Sequence, residues 1–137
     1  MSCIIGLDVG TKTIGIAVGE AGAGLASPHS VLSRRGVKQD TAQLAEIISA
    51  LGATEVVLGL PYELDGSLGR GARLARQIGS AVHEATGLTV HEQDERYSTV
   101  EAERKLFEAG YDGKQRKGII DAAAAAVILQ DWLDRPD

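Results

Sequence analysis

The chain is poor in the residues that several common functions require. Its single cysteine, Cys3, excludes an internal disulfide. No positively charged segment followed by an apolar run opens the sequence, and the longest small apolar run, residues 122–129, falls far short of the roughly 20 residues needed to cross a bilayer. We therefore expect a cytoplasmic protein with no membrane partner.

Motifs for zinc, covalent catalysis and nucleotide binding are also missing. The three histidines have no metal-ligand spacing among themselves or with the cysteine, which argues against zinc. Neither a G-x-S-x-G nucleophile elbow nor a Walker A phosphate loop occurs. Base stacking across an open sheet is not the expected mode of nucleic-acid binding, because the only aromatic residues are Tyr62, Tyr97, Phe107, Tyr111 and Trp132.

The formal net charge is −5, which argues against a surface that binds nucleic acid over its whole extent. The basic residues nevertheless cluster, at 34–38, 70–76 and 96–117. Acidic residues are interleaved with the last cluster, so a basic face there would have to arise from folding. Each cluster taken alone can equally be a solvated helix face.

Five short apolar runs predict five strands. The first two are separated only by Gly10 to Thr13, a polar stretch typical of a hairpin turn. The last two each follow a stretch with helical spacing, as expected for parallel strands joined by helical crossovers. The runs cover residues 3–9, 14–18, 27–32, 55–60 and 88–93.

Four helices are predicted from apolar spacing and from end signals. Asp40 is expected to cap the first helix, and the second covers about 72–85. Residues 98–101 form a capping-box signature for a third helix. A polar, basic loop at 111–117 then leads to the last helix, 118–133.

The order of these elements predicts an α/β fold in a single domain that spans residues 1–137. Three strands in sequence form an antiparallel meander, parallel strands follow, and helices flank the resulting mixed five-stranded sheet. A chain of this length can enclose one full core and is too short for two ordinary ones. The alanine run in the last helix would let that helix press close to the sheet and bring Asp121 near the end of the first strand.

Three acidic residues, far apart in the chain, are predicted to converge at one edge of the sheet. Asp8 lies near the end of the first strand, Glu95 directly after the last strand, and Asp121 in the last helix. Because Mg²⁺ and Mn²⁺ prefer hard oxygen ligands, such carboxylates make a plausible cation site for attack on a phosphodiester. Asp94 is a candidate additional acid.

Each acid also has a simpler interpretation. Asp8 could be a strand-end aspartate that accepts hydrogen bonds from the amides of the following turn. Glu95, like Asp94 before it, could be a loop residue paired with the next arginine. Asp121 could lie in the first turn of its helix only because acids suit the helix dipole there. All of these interpretations would have to hold together to remove the predicted site.

Four motifs stand in order along the chain. They are Asp8 to Ala17, Val57 to Pro61 with Asp65 to Ser67, Asp94 to Thr99, and Lys117 to Asp121 followed by alanines. Together they resemble the YqgF/RuvX family. The resemblance extends from about residue 3 to residue 133, which is nearly the whole chain.

The resemblance implies a compact RNase H-like fold related to RuvC. It also implies a metal-dependent nuclease that matures the precursor of small-subunit ribosomal RNA, resolves Holliday junctions, or does both. Asp8, Glu95 and Asp121 would then be the catalytic residues and the ligands of Mg²⁺ or Mn²⁺. This sequence departs from the family's usual Lys-Arg after the first turn, because Lys12 is followed by Thr13. Lys12 remains as the basic substrate contact there.

Nucleic acid is the expected partner, and basic side chains are the expected contacts to its phosphates. Three arginines at 70–76 are spaced three apart and would share one helix face, whereas the basic residues of the loop at 111–117 could bend toward a phosphate. The sequence leaves open whether the protein is a monomer or a homodimer. The expected contacts are Lys12, Arg70, Arg73, Arg76, Arg96, Lys114, Arg116 and Lys117, with Arg34, Arg35 and Lys38 as an alternative path.

Two other functions fit parts of the same sequence. Gly6 to Thr11 also resembles the phosphate-binding hairpin of actin-like and sugar-kinase ATPases, but those proteins clamp a nucleotide between two domains. A non-catalytic RNA-binding or transcription-associated module of the same fold is the other alternative, and the intact acids count against it. Metal-dependent cleavage of labelled RNA and DNA would separate the three functions.

Overall fold

The structure, a computed structural model, describes residues 2–22, 24–61, 69–95, 102, 104–105, 108–110 and 113–135, and of residues 113–118 it describes the backbone alone. Within these ranges one sheet contains β1 Cys3–Val9, β2 Thr13–Glu20, β3 Ala26–Ser33, β4 Ala53–Leu60 and β5 Thr89–Asp94. The long helices are α1 Val37–Leu51, α2 Arg70–Thr86 and α3 Gly113–Leu133. The capping box predicted at residues 98–101 lies outside the described residues.

The strand order in the sheet is β3-β2-β1-β4-β5. β1, β2 and β3 form an antiparallel meander, and β4 and β5 run parallel to β1. The predicted mixed five-stranded α/β sheet is therefore confirmed. The C-terminal ends of β1, β4 and β5 lie at the same edge of this sheet.

β1 lies at the centre of the sheet and is buried on both faces. Ile5 and Leu7 pack into one core with α1 and α2, whereas Ile4 packs into a second core with α3. A strand buried on both faces requires an almost continuous apolar run, so an acidic residue within it is conspicuous. Because side chains alternate along a strand, Asp8 shares the α3 face with Ile4.

α3 begins at Gly113 rather than at 118, so the loop predicted at 111–117 is wrong for residues 113–117. Lysine, arginine and glutamine are good helix formers, and no proline interrupts the segment, so nothing local prevents an earlier helix start. Lys114, Arg116 and Lys117 therefore lie on a helix backbone and not on a flexible loop.

The alanine run allows α3 to pack on two sides. Ala125 and Leu129 join the core on the sheet, while Ala123 and Ala124 form a separate cluster with Ala102. A helix that is apolar on more than one side belongs in the interior of a protein. Across the described part of the chain, no helix combines the length and the apolar character that crossing a membrane would demand.

α1 begins at Val37, so Asp40 lies inside its first turn and is not the N-cap residue that the sequence predicts. Gly36 takes the N-cap position and has no side chain with which to cap. The Asp40 carboxylate instead accepts hydrogen bonds from the backbone N–H groups of Arg35 and Gly36, over 2.9 and 3.4 Å. Asp40 therefore lies inside the helix and accepts hydrogen bonds from amides that precede the helix. Its ion pair with Arg34 offsets the free-energy cost of burying its charge.

Candidate active site

Asp8 lies between two glycines in the neighbouring strands. Gly15 of β2 is its partner across the β1–β2 ladder. Gly59 of β4 follows Leu58, the partner of Leu7, and so lies on the other side of Asp8. Neither neighbour has a side chain, which leaves space on the α3 face of the sheet next to the Asp8 carboxylate.

Gly15 makes room for the backbone of Asp121. A Cβ atom on Gly15 would lie 1.9 Å from the carbonyl oxygen of Asp121 and 2.9 Å from the amide nitrogen of Ala122. The expected approach of Asp121 to the end of β1 is therefore found. Asp121 lies well inside α3 and not in its first turn, so the helix dipole, which acts within the first turn, does not account for this acid.

Gly59 makes room for the side chain of Glu95. A Cβ atom on Gly59 would lie 2.8 Å from Cγ of Glu95 and 2.5 Å from Cδ1 of Ile128. Glu95 directly follows β5, and its backbone N–H donates a hydrogen bond to the carbonyl oxygen of Leu60 over 3.1 Å. This hydrogen bond to the end of β4 therefore fixes the position of Glu95 relative to the sheet.

The three acids influence one another electrostatically. Burial, then the negative charge of Glu95, and then that of Asp121 raise the pKa of the Asp8 carboxyl from 3.8 to about 7. Within the described residues no hydrogen-bond donor offsets these effects. The simpler interpretation of Asp8, in which amides of the turn satisfy it, therefore finds no support in this part of the chain. Asp8, Glu95 and Asp121 form one coupled acidic group.

Thr13, Gly15 and Gly59 contribute to this group, and sequence analysis does not identify any of them. Thr13 is the first residue of β2, and its hydroxyl donates a hydrogen bond to Oδ2 of Asp121. The two glycines stand inside apolar strands, where glycine is unfavourable unless another group approaches closely, and that signal could have found them. No local signal marks Thr13, because its partner is 108 residues away.

The chemistry of the acidic group suits a hard divalent cation. Carboxylate oxygens are the ligands that Mg²⁺ and Mn²⁺ prefer, and a cation between them would relieve the repulsion that raises the pKa of Asp8. In the part of the chain that is described, no three acidic, histidine or cysteine side chains already form a metal cage. The three carboxylates fit the cation in charge and donor type.

Asp94 is not brought to the acidic group. It pairs with Leu60, whose side chain belongs to the core with α1 and α2, on the face opposite Asp8. Asp94 is exposed there. Of the two adjacent acids, only Glu95 is directed to the α3 face.

Arg70 and Arg73 lie at the same edge of the molecule as the acids. Both are exposed at the start of α2, and neither has an ion pair with another described residue. This end of α2 adjoins the end of β4, since a Cβ atom on Gly71 would lie 3.0 Å from Cγ of Pro61. Both arginines therefore lie near the end of β4, on the sheet face that carries α2 and not on the α3 face of Asp8.

Arg76 is engaged with β5. Its guanidinium donates two hydrogen bonds to the carboxylate of Glu92, over 2.9 and 3.1 Å. The two side chains are 43% and 42% exposed, so this is a surface ion pair. Of the three arginines that we expect to share one helix face, Arg76 is therefore bound to β5.

Arg34 has a structural role that removes it from the alternative basic path. Its Nε donates to Oδ2 of Asp40 over 3.0 Å, and its Nη1 donates to the carbonyl oxygen of Gly10 over 3.1 Å. Its backbone N–H donates to the carbonyl oxygen of Lys12 over 2.9 Å. Arg34 therefore fastens the β1–β2 turn to the start of α1. The exposed basic residues of this corner are Lys12, Arg35 and Lys38.

The remaining predicted contacts lie outside the described side chains. Arg96 is not among the described residues, and of Lys114, Arg116 and Lys117 the structure describes the backbone alone. That backbone forms the first turns of α3, ahead of Asp121.

A groove of about 720 Å³ runs between β3 and α3. Ala122 and Ala126 of α3 form part of its floor, and His29 and Lys105 also line it. Ala122 directly follows Asp121 in the chain, but none of the three acids lines the groove. Its volume falls within the range of small-ligand sites, roughly 300–1,000 Å³.

Known protein sequences match this chain over nearly its full length. A family model described as RuvX, Holliday junction resolvase, matches residues 2–135. A protein of Moorella thermoacetica named "Putative pre-16S rRNA nuclease" is 42% identical over 132 residues, which cover 96% of this chain and 94% of that protein. A protein of the same name from Myxococcus xanthus is 46% identical over 131 residues, which cover 95% of this chain and 86% of that protein.

Solved structures of Holliday junction resolvases share the fold. T. thermophilus RuvC in complex with a Holliday junction substrate has a TM-score of 0.59 at 17% identity, covering 97% of this chain and 94% of that one. The fowlpox virus Holliday junction resolvase has a TM-score of 0.62 at 10% identity, covering 96% and 98%. At such low identity the likeness establishes the fold alone, and the expected RNase H-like, RuvC-related fold is confirmed.

Proposed function

The chain belongs to the RuvX family, and from this membership we propose that it is a nuclease that hydrolyses phosphodiester bonds in the precursor of small-subunit ribosomal RNA. The two relatives described above are named for that substrate and align with nearly the whole chain. The observation that carries the proposal is the coupled group of Asp8, Glu95 and Asp121, to which three separate elements each contribute one carboxylate.

Asp8, Glu95 and Asp121 hold Mg²⁺ or Mn²⁺ in this proposal, and the cation supplies Lewis-acid chemistry to the phosphoryl group when it is bound. Asp8 is the central ligand, because it lies between the two glycines that accommodate the other acids. The central strands of the sheet hold Asp8 in place, and rigid placement of ligands is what positioning of a reacting phosphate requires.

Basic side chains at the same edge bind the phosphates on either side of the scissile bond. Lys12 is exposed on the turn after β1, and Arg70 and Arg73 are exposed at the start of α2. Because the net charge of the protein is −5, binding has to rest on such local groups. The remaining contacts in the proposal are Arg76, Arg96, Lys114, Arg116 and Lys117.

Resolution of branched DNA is the second candidate. It is supported by the description of the matching family model. Resolving a junction requires two cuts and therefore two sites, whereas trimming an RNA end requires one. A protein that is a monomer in solution and leaves a four-way junction intact would favour the RNA, and a homodimer that cuts the junction would favour the DNA.

The test compares end-labelled precursor RNA and a labelled four-way junction, side by side, in Mg²⁺, Mn²⁺, Ca²⁺ and EDTA. We expect specific cleavage of the RNA in Mg²⁺ or Mn²⁺ and little in Ca²⁺, whose looser coordination holds reacting oxygens less tightly. Cleavage that persists in EDTA would contradict the metal mechanism. Binding without cleavage would favour the non-catalytic module, and ATP hydrolysis without cleavage would favour the nucleotide binder.

A further inference from the structure

The carboxylate of Asp121 is held in place by a side chain of the sheet. The hydroxyl of Thr13, at the start of β2, donates a hydrogen bond to Oδ2 of Asp121. Both residues are partly buried. Within the described residues, Thr13 is the one group that donates a hydrogen bond to this carboxylate.

Gly15 fixes the backbone of the same aspartate. Thr13 and Gly15 are two residues apart on β2, so both face α3. The carbonyl oxygen of Asp121 lies where a Cβ atom of residue 15 would be, 1.9 Å from that position. β2 therefore holds Asp121 at two points: Gly15 sets the position of its backbone, and Thr13 sets the direction of its carboxylate.

The hydrogen bond from Thr13 restricts the directions that this carboxylate can take. Asp121 approaches Gly15, the cross-strand partner of Asp8, so two acidic side chains share the α3 face of the sheet, and like charges repel each other. An aspartate on a helix has more than one staggered rotamer, and repulsion favours those that point away from Asp8. A hydrogen-bond donor on β2 limits the choice among these rotamers before any cation arrives.

We infer that Thr13 is a positioning residue that aims the Asp121 carboxylate at the cation site beside Asp8. Its effect on cleavage rests on the proposed function, whereas its effect on cation binding does not. Thr13 acts through Asp121 and has no contact of its own with the cation or the phosphate.

The experiment uses Thr13→Val, which keeps the shape and removes the hydroxyl, and Thr13→Ser, which keeps the hydroxyl. Thr11→Val, an exposed change in the same turn, is the matched control. Mn²⁺ binding is measured by calorimetry on each purified full chain, and the Mn²⁺ dependence of RNA cleavage is measured in parallel. Thr13→Ala replaces Thr13→Val if circular dichroism shows that the valine variant is not folded.

We expect Thr13→Val to weaken Mn²⁺ binding about tenfold, the usual effect of removing a group that orients a metal ligand. The Mn²⁺ concentration for half-maximal cleavage should rise by the same factor, with the KM for RNA unchanged. Thr13→Ser and Thr11→Val should behave as the wild type. Unchanged Mn²⁺ binding in Thr13→Val, or equal loss in Thr13→Ser, overturns the inference. If Mn²⁺ binding follows the expected order but no variant and no wild-type protein cleaves RNA, the positioning role stands and the proposed function fails.

Discussion

Arg34 and Asp40 form an ion pair of 3.0 Å, with side chains that are only 10% and 1% exposed. The same guanidinium donates to the carbonyl oxygen of Gly10, in the turn that follows the strand of Asp8. A buried pair of this kind is strongly destabilising when one partner is removed, because the other charge stays buried without compensation. The turn beside the candidate site therefore depends on a contact that belongs to the start of α1.

Asp40→Asn should lower the free energy of unfolding at pH 7 by about 3 kcal/mol. Burial alone would raise the pKa of the Asp40 carboxyl, but hydrogen bonds from Arg35, Arg34 and Gly36 and the charge of Arg34 outweigh it, so the pKa lies below its ordinary value of 3.8. The stabilisation is thus present above pH 3.8 and is lost as pH falls through the lower pKa of the folded state.

Urea unfolding between pH 2 and pH 8 tests this dependence. The wild type should lose stability toward the acid end more steeply than Asp40→Asn does. Glu46→Gln, an exposed change in α1, is the control and should leave the curve unchanged. Parallel curves of stability against pH for the wild type and Asp40→Asn would show that ionisation of the Asp40 carboxyl does not contribute to folding stability.

Asp8→Asn should abolish cleavage and at the same time stabilise the metal-free protein above pH 7. The pKa of Asp8 is raised to about 7 from 3.8, so between these values the folded state keeps a proton that the unfolded state has lost. Stability attributable to Asp8 therefore falls as pH rises through this window and is lowest above it. Asp8→Asn removes this loss of folding stability, which is on the order of 2–4 kcal/mol at pH 8.

The measurement is thermal unfolding in EDTA at several pH values, followed by cleavage assays in Mn²⁺. Added Mn²⁺ should raise the unfolding temperature of the wild type more than that of Asp8→Asn, because a ligand stabilises only the state that binds it. Wild-type cleavage rates in a folded Asp8→Asn protein would rule out Asp8 as a ligand.

Gly15→Ala and Gly59→Ala should differ in their effects on stability and on activity. The new methyl group at residue 15 meets backbone atoms of Asp121 at 1.9 Å, so α3 as a whole has to move. At residue 59 it meets the side chains of Ile128 and Glu95, at 2.5 and 2.8 Å, and these can rotate away. We expect Gly15→Ala to lose both stability, by about 1–3 kcal/mol or more, and activity.

Gly59→Ala should lose activity with a smaller loss of stability, because Glu95 is displaced while the helix remains docked. Chemical denaturation and cleavage rates of the two variants, measured together, check this difference. Equal activity in Gly59→Ala and in the wild type would mean that the position of Glu95 over the sheet does not matter for cleavage.

Arg70→Ala with Arg73→Ala should weaken RNA binding and flatten its salt dependence. Each lost contact to single-stranded nucleic acid lowers the log-log slope by roughly 0.7. Arg76→Ala should change the slope less, since Glu92 already neutralises this arginine. Fluorescence anisotropy of labelled RNA at several salt concentrations gives the slopes, and Lys38→Ala tests the alternative basic path in the same assay. Identical slopes for the double variant and the wild type would make these arginines a solvated surface.

The local sequence pattern predicts those features of the fold that depend on residues close together in the chain. Short apolar runs marked the strands, and Asp8 stood out because a buried strand tolerates few charges. The N-cap prediction for Asp40 is wrong because the same residue type can satisfy amides from the N-cap or from inside the first turn, and here it accepts from the N–H groups of Arg35 and Gly36. The roles of Thr13, Gly15 and Gly59 depend on contacts with residues that are remote in the chain, and periodicity carries no information about such contacts.

α3 supplies Asp121, and it is made after every strand of the sheet. On a ribosome, domains begin to fold as the chain emerges, at about 5–20 residues per second. A nascent chain that has reached the end of β5 can pair its strands and dock α1 and α2, yet it has only part of its acidic group. If Asp121 is a cation ligand, as proposed, a nascent chain cannot complete the cation site until α3 has been made and has docked on the sheet.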